Sequence, residues 1–134
     1  MIGTYYRLSL ADEDVGTDKT ESNSIQGQRG LVEGYIMARP ELATEPRQEY
    51  VDDGYSGTNY DRPGFQSMLV EIEAGRVGIV ITKDLSRLGR NSALTGLYTN
   101  FTFPQYGVRY IAINDNYDTI DPNSVNNDFA GIKN

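Results

Sequence analysis

The sequence contains neither cysteine nor histidine. Without cysteine there are no disulfides and no thiolate metal sites, which fits a cytoplasmic protein. Without histidine the usual neutral-pH general base and the commonest metal ligand are gone. Any catalysis must then run on hydroxyls, carboxylates and guanidinium groups. Long apolar runs are missing as well: nothing approaches the roughly 18 consecutive apolar residues that a membrane span needs. The opening Met1-Ile2-Gly3-Thr4-Tyr5 has neither the basic start nor the apolar stretch of a signal peptide. Cations are scarce, with 12 Lys and Arg against 19 Asp and Glu, a net charge of −7. A general nucleic-acid glue has a basic footprint, and this chain does not. A few well-placed cations can still form a local pocket for a phosphate.

What is present suits one α/β domain. The 134 residues, 38% apolar and 23% charged, are enough for a real core and show no repeat or low-complexity run. Ile2 to Leu10 reads as a first strand, and Asp12 to Glu21 as a polar loop. Asn23 and Gln26 have the spacing of a capping box. The helix behind them carries Ile25, Val32, Tyr35 and Ile36 on one face until Arg39-Pro40. Tyr50-Val51 reads as a short second strand before the turn-rich Asp52 to Gly57. Phe65, Met68, Leu69 and Ile72 define an amphipathic helix that ends at Gly75. An apolar strand, Val77 to Ile81, follows. Leu94, Leu97, Tyr98 and Phe101 repeat the helical spacing, and Pro104 is expected to end that helix. Val108 to Ile113 is a further apolar strand. Strictly alternating strands and helices call for a mostly parallel sheet of four or five strands, covered on both faces.

In such sheets ligands bind beyond the carboxyl ends of the strands. Four segments fall there: Arg7 with Ser9, Asp52 to Gly57, Lys83 to Asn91, and Asn114-Asp115-Asn116. Arg87 and Arg90, three apart, have the spacing to grip one phosphate with forked donors. A solvated pair bridged to Asp84 satisfies the same spacing. Arg7 and Ser9 alternate along a strand and so share a face, although a serine at a strand end is commonly a turn former. No G-x-x-x-x-G-K-[ST] and no G-x-S-x-G occurs, which removes a nucleotide P-loop and a hydrolase triad. Asp12, Glu13 and Asp14, or Asp52 and Asp53, have the chemistry to hold Mg²⁺. Adjacent carboxylates diverge, however, so solvated loop charges are the expected reading. The tyrosines are expected to pack.

Five blocks occur in an order that resembles the serine recombinases: Tyr5-Tyr6-Arg7-Leu8-Ser9, Ser24-Ile25-Gln26-Gly27-Gln28-Arg29, Asp53-Gly54-Tyr55-Ser56-Gly57-Thr58, Asp61-Arg62-Pro63-Gly64-Phe65, and Lys83 through Asn91. Together they look like the catalytic domain of the resolvase/invertase superfamily, nearest to the large serine recombinases of transposons and phages. The resemblance implies that Ser9 attacks a DNA phosphodiester to give a 5′-phosphoserine linkage and a free 3′-hydroxyl. By the same similarity Arg7, Arg87 and Arg90 are the catalytic arginines and Arg62 a further phosphate-binding one. Gln28 and Ser56 support the site through hydrogen bonds. No cofactor, metal or ATP is implied, since the ester keeps the bond energy. One departure is Ser86, where many smaller resolvases carry an aspartate proposed to protonate the leaving oxygen; here Asp84 lies two residues earlier, and the general acid is left unassigned. The resemblance also implies that residues 1–134 are an N-terminal catalytic domain from a bacterium or phage. Its subunit-pairing helix would only begin at 124–134, with the DNA-binding region beyond. The full protein would act as a dimer on its DNA site and a tetramer in synapsis, excising or integrating a mobile element, while these residues alone would be monomeric. Two other readings compete with it: a non-catalytic flavodoxin-like interaction module, and a metal-dependent phosphodiesterase.

Overall fold

The computed structural model describes residues 1–8, 23–53, 62–89 and 92–121. A five-stranded sheet in the order β2-β1-β3-β4-β5 forms the middle layer. Its strands are β1 (Ile2–Leu8), β2 (Arg47–Asp53), β3 (Ile79–Thr82), β4 (Arg109–Ala112) and β5 (Tyr117–Asp118). The first four are mutually parallel, and the two-residue β5 closes the edge antiparallel to β4. The expected α/β class with a mostly parallel sheet is therefore the one observed.

Alternation along β1 splits the core in two. Ile2 and Tyr6 face α1 (Asn23–Met37) and α2 (Pro40–Ala43), packing with Ile25, Val32, Ile36, Leu42, Ile81 and Ile111. Tyr5 faces the other way, towards α3 (Pro63–Glu73). There Phe65, Met68 and Ile72 are buried and Leu69 is packed against them, as the spacing predicts. Beyond α3 the chain turns at Gly75, whose φ of +81° is the left-handed conformation that favours glycine at a helix end. Six aromatic rings run in sequence through this second core: Tyr5, Phe65, Tyr98, Phe103, Tyr110 and Tyr117, with successive centroids 4.9–6.2 Å apart. These tyrosines do pack, as expected.

Several local expectations need correcting. The second strand is not short: it spans seven residues and pairs with β1 along its whole length. Arg39-Pro40 does not simply stop a helix, because Pro40 opens α2, where its missing N–H costs nothing. Pro104 does not end its helix either. The chain runs from α4 (Ser92–Leu97) through a π-helical segment, Tyr98–Thr102, into α5 (Phe103–Gln105). The wider π turn absorbs one extra residue just before the proline and shifts the inward face. Thr99 and Phe103 are consequently buried and Tyr98 is packed inward, while Leu97 and Phe101, expected on the core face, are 48% and 66% exposed. No helix among the described residues is long and apolar enough to cross a membrane.

Candidate active site

The strand order places the reversal of winding between β1 and β3, because β2 lies to one side of β1 and the later strands to the other. The crevice beyond the carboxyl ends of such a strand pair is the usual ligand site of a doubly wound sheet. Arg7 sits at the end of β1, and the turn after β3 is the 3-10 helix Leu85–Arg87. Here that turn is bound from every side.

Two arginines grip its carbonyls. Arg7 donates from Nη2 to Ser86 O (2.7 Å) and from Nε to Arg87 O (3.2 Å). Arg62 donates from Nη2 to Leu88 O (2.7 Å) and from Nη1 to Arg87 O (3.2 Å). The turn answers, since Arg87 Nη1 donates to Arg7 O at 3.0 Å. On the far side Asp115 Oδ2 accepts from Leu85 N at 2.7 Å. Thr82 Oγ1 donates to Asp84 O (2.8 Å), so the Tyr110 hydroxyl must be the donor in its 2.7 Å bond to Thr82. Burial pushes the Tyr110 phenol well above its ordinary value, so it keeps the proton that this chain of bonds needs.

Asp52 anchors the second ring of contacts. Its Oδ2 accepts from Tyr5 Oη (2.7 Å) and Phe65 N (2.9 Å), and its Oδ1 from Gly64 N (2.8 Å). It thus caps α3 in place of a local residue, because the helix starts at Arg62-Pro63 with no side-chain cap of its own. Gly64 is needed at this point: a Cβ there would lie 2.7 Å from Val51 O. Tyr5 passes the interaction on, its oxygen lying 3.5 Å from Arg62 Nη1. Burial raises the Tyr5 phenol, Arg62 opposes the shift and Asp52 adds to it, and the hydroxyl stays protonated. The Arg62 guanidinium also lies 4.6 Å from the Phe65 ring centroid. Asp52 is therefore neither a solvated loop charge nor half of a metal pair, as 1% exposure and three donors show. Among the described residues no cluster of three or more potential metal ligands occurs.

Gln28 holds the backbone of β1. β3 pairs with β1 at Ile2 to Thr4, so the ladder on that side ends before Arg7. The Gln28 amide replaces it, accepting from Arg7 N (3.2 Å) and donating to Arg7 O (3.1 Å). Asp84 Oδ1 accepts from Ser86 Oγ (2.6 Å) and lies 3.4 Å from Arg87 Nε, so the Arg87–Asp84 bridge that the sequence allowed is formed.

The structure brings Arg7, Gln28, Arg62, Asp84 and Arg87 together. Ser9, Ser56 and Arg90 lie outside the described residues, as do Asp12, Glu13, Asp14 and 124–134. Sequence reasoning missed Tyr5, Thr82 and Tyr110 as parts of the site, and it placed Asp52 and Asp115 on the rim without their roles as hydrogen-bond anchors. The one available signal was at α3: a helix opening on Arg-Pro-Gly has no local cap and asks for a distant one. Arg7 and Arg62 are each 1% exposed, and Asp52 is the one fully buried carboxylate among the described residues. Three guanidinium groups, of Arg7, Arg62 and Arg87, thus gather at the turn after β3, where the carboxylates of Asp52, Asp84 and Asp115 are also held. Guanidinium groups do not deprotonate in proteins, so three fixed positive charges are clustered at one point of an acidic chain. Fixed positive charge of this kind suits an anion such as a phosphoryl group.

An α/β domain with an arginine-lined crevice at its topological switch point is the class that the fold and the site define. Over residues 2–132 the chain matches the model of the resolvase N-terminal domain, described as "Resolvase, N terminal domain", and it belongs to that family. Solved structures agree on the fold. The N-terminal catalytic domain of TP901-1 integrase superposes with a TM-score of 0.76 at 23% identity, covering 98% of this chain and 92% of that one. A serine recombinase from Sulfolobus solfataricus gives 0.64 at 21%, covering 98% and 78%. A resolvase family site-specific recombinase from Streptococcus pneumoniae gives 0.63 at 25%, covering 99% and 88%. No curated protein matches the chain in sequence.

Proposed function

We propose that this domain performs the strand cleavage and rejoining of site-specific DNA recombination, as a serine recombinase. The observation that carries the reading is the cluster of three guanidinium groups at the β1/β3 switch point in a member of the resolvase family. In the proposed step the Ser9 oxygen attacks the phosphorus of a DNA phosphodiester and loses its proton. The bond to the 3′-oxygen breaks, and that oxygen leaves as a hydroxyl after gaining a proton. Energy is conserved in the phosphoserine ester, so the reverse attack reseals a strand without ATP. Arg7, Arg87 and Arg90 stabilise charge on the phosphoryl oxygens, and positioned donors of this kind typically supply about 2.7–4 kcal/mol each. Arg62 holds the Arg87 turn from below, Gln28 fixes the backbone that leads to Ser9, and Asp84 orients Arg87. Ser56 takes a supporting place by similarity alone.

The DNA site, the dimer and synaptic tetramer, and a DNA-binding region beyond residue 134 belong to the same proposal, as do a mobile-element role and a bacterial or phage cytoplasm as its place of action. The test incubates the protein, with any natural sequence beyond Asn134, with DNA bearing its recombination site. A covalent protein–DNA adduct that forms in EDTA and vanishes in Ser9→Ala supports the reading. Metal-dependent hydrolysis without an adduct would replace it with a phosphodiesterase, and neither cleavage nor an adduct would leave an interaction module.

A further inference from the structure

Outside the crevice four of the five described arginines are neutralised by carboxylates. Arg29 is paired with Glu49 (2.8 Å), Arg47 with Glu33 (3.0 Å), Arg109 with Asp118 (2.8 Å) and Arg76 with Glu71. Arg39 lies over the Tyr35 ring, 3.4 Å from its centroid, and donates to Tyr35 O. Arg7, Arg62 and Arg87 are committed to backbone carbonyls. Lys83 differs: among the described residues its ammonium group has no hydrogen bond and no ion pair.

Its position makes the difference matter. Lys83 directly follows β3, on the rim of the switch point, and its carbonyl is fixed by Asn114 N at 2.8 Å. The carboxylates beside it are already engaged. Asp84 is held by Ser86 and Arg87, and Asp115 by the Leu85 amide. The partly buried stem is thus anchored at its base, and the charge at its tip is not quenched. Thr82, the last residue of β3, meets Tyr110 on the α3 face, and Lys83 is the next residue along the chain. A single flexible ammonium on a rim reads a phosphate as a point charge and lacks the bidentate fork.

We propose that Lys83 binds a non-reacting backbone phosphate of the DNA, next to the one that is cleaved. The inference rests on the recombinase reading and adds a binding contact that sets how the duplex lies across the crevice. Because four of the described arginines outside the crevice are held by carboxylates, this contact carries weight in binding that it would lack on a basic surface.

The test measures affinity for a short duplex against salt concentration, together with adduct formation, for the protein and for Lys83→Gln and Lys83→Arg. Lys83→Gln should lower the slope of log affinity against log salt by about 0.9, the value for one lost phosphate contact. It should also raise the DNA concentration giving half-maximal adduct several-fold. The adduct rate at saturating DNA should fall far less than in Arg87→Lys, and Lys83→Arg should restore the slope. An unchanged slope in Lys83→Gln overturns the inference while leaving the recombinase reading intact. A collapse of the saturated rate overturns it too, by placing Lys83 in the chemical step. If the unaltered protein forms no adduct, the recombinase reading fails and takes the inference with it.

Discussion

Replacing Asp52 by asparagine removes one charge and one acceptor from the carboxylate that ties β2, α3 and the Arg62 side of the crevice together. Oδ2 serves Tyr5 Oη and Phe65 N, so the amide oxygen is best placed there. The amide nitrogen then takes the place of Oδ1 and faces the Gly64 N–H, donor against donor. Losing a hydrogen bond to a charged group costs about 1.5–3 kcal/mol. Losing the negative charge at the N-terminus of α3 costs about 0.3–1 kcal/mol more. The sum of about 2–4 kcal/mol is a large share of the roughly 5–15 kcal/mol by which domains are stable. For a domain of this size it lowers Tm by about 8–16 °C. Thermal and urea unfolding of Asp52→Asn measure it, and adduct formation should weaken as Arg62 loses its route through Tyr5 to a counter-charge. A loss under about 1 kcal/mol would refute the reasoning, because a neutral cap would then suffice and the charge would be incidental.

Three further outcomes follow from the same geometry. Arg87→Lys keeps the charge but loses the fork, so adduct formation should fall about 10²–10³-fold, with some loss of stability as its bond to Arg7 O weakens; near-normal cleavage would reduce Arg87 to a structural group. Gln28→Leu removes the acceptor seen on the Arg7 N–H and one donor from its carbonyl, so urea unfolding should show a loss of about 1–3 kcal/mol. Burial raises the phenols of Tyr5, Tyr6 and Tyr110 above the ordinary value, that of Tyr6 to about 12. The unfolded chain therefore releases these protons first, and stability is full below pH 10 and lost as pH climbs from about 10 to 12. Each tyrosine still protonated in the fold steepens that loss by about 1.4 kcal/mol per pH unit. Tyrosinate absorbance should lag in the folded protein and jump on unfolding; ten tyrosines titrating together near pH 10 would contradict the burial.

The sequence displayed whatever depends on local period. The inward faces of α1 and α3 are set by residues three and four apart, and Ile25, Val32, Ile36, Phe65, Met68 and Ile72 all proved buried. The fourth helical region misled because a π turn changes that period, and nothing in Leu94 to Phe101 announces the inserted residue. The arginines could be located, since strand ends are readable, but their partners could not. Arg7 and Arg62 bind backbone carbonyls about 80 and 25 residues away, and a carbonyl has no sequence signature. Asp52 looked like a loop acid because its donors, Tyr5 and two amides of α3, meet it only after β1, β2 and α3 have packed. Tyr110 and Thr82 likewise face each other only because β3 and β4 pair in register.

The claim at the centre of this account is that phosphoryl transfer passes through a serine at the end of β1. Peptide mapping by mass spectrometry of the protein–DNA adduct, with end analysis of the released strand, tests it most directly. The account predicts that the DNA is held through its 5′-phosphate on Ser9, that the other end is a free 3′-hydroxyl, and that Ser9→Ala gives no adduct. Attachment at any other residue, or a 3′-phosphate link with a free 5′-hydroxyl, would contradict it.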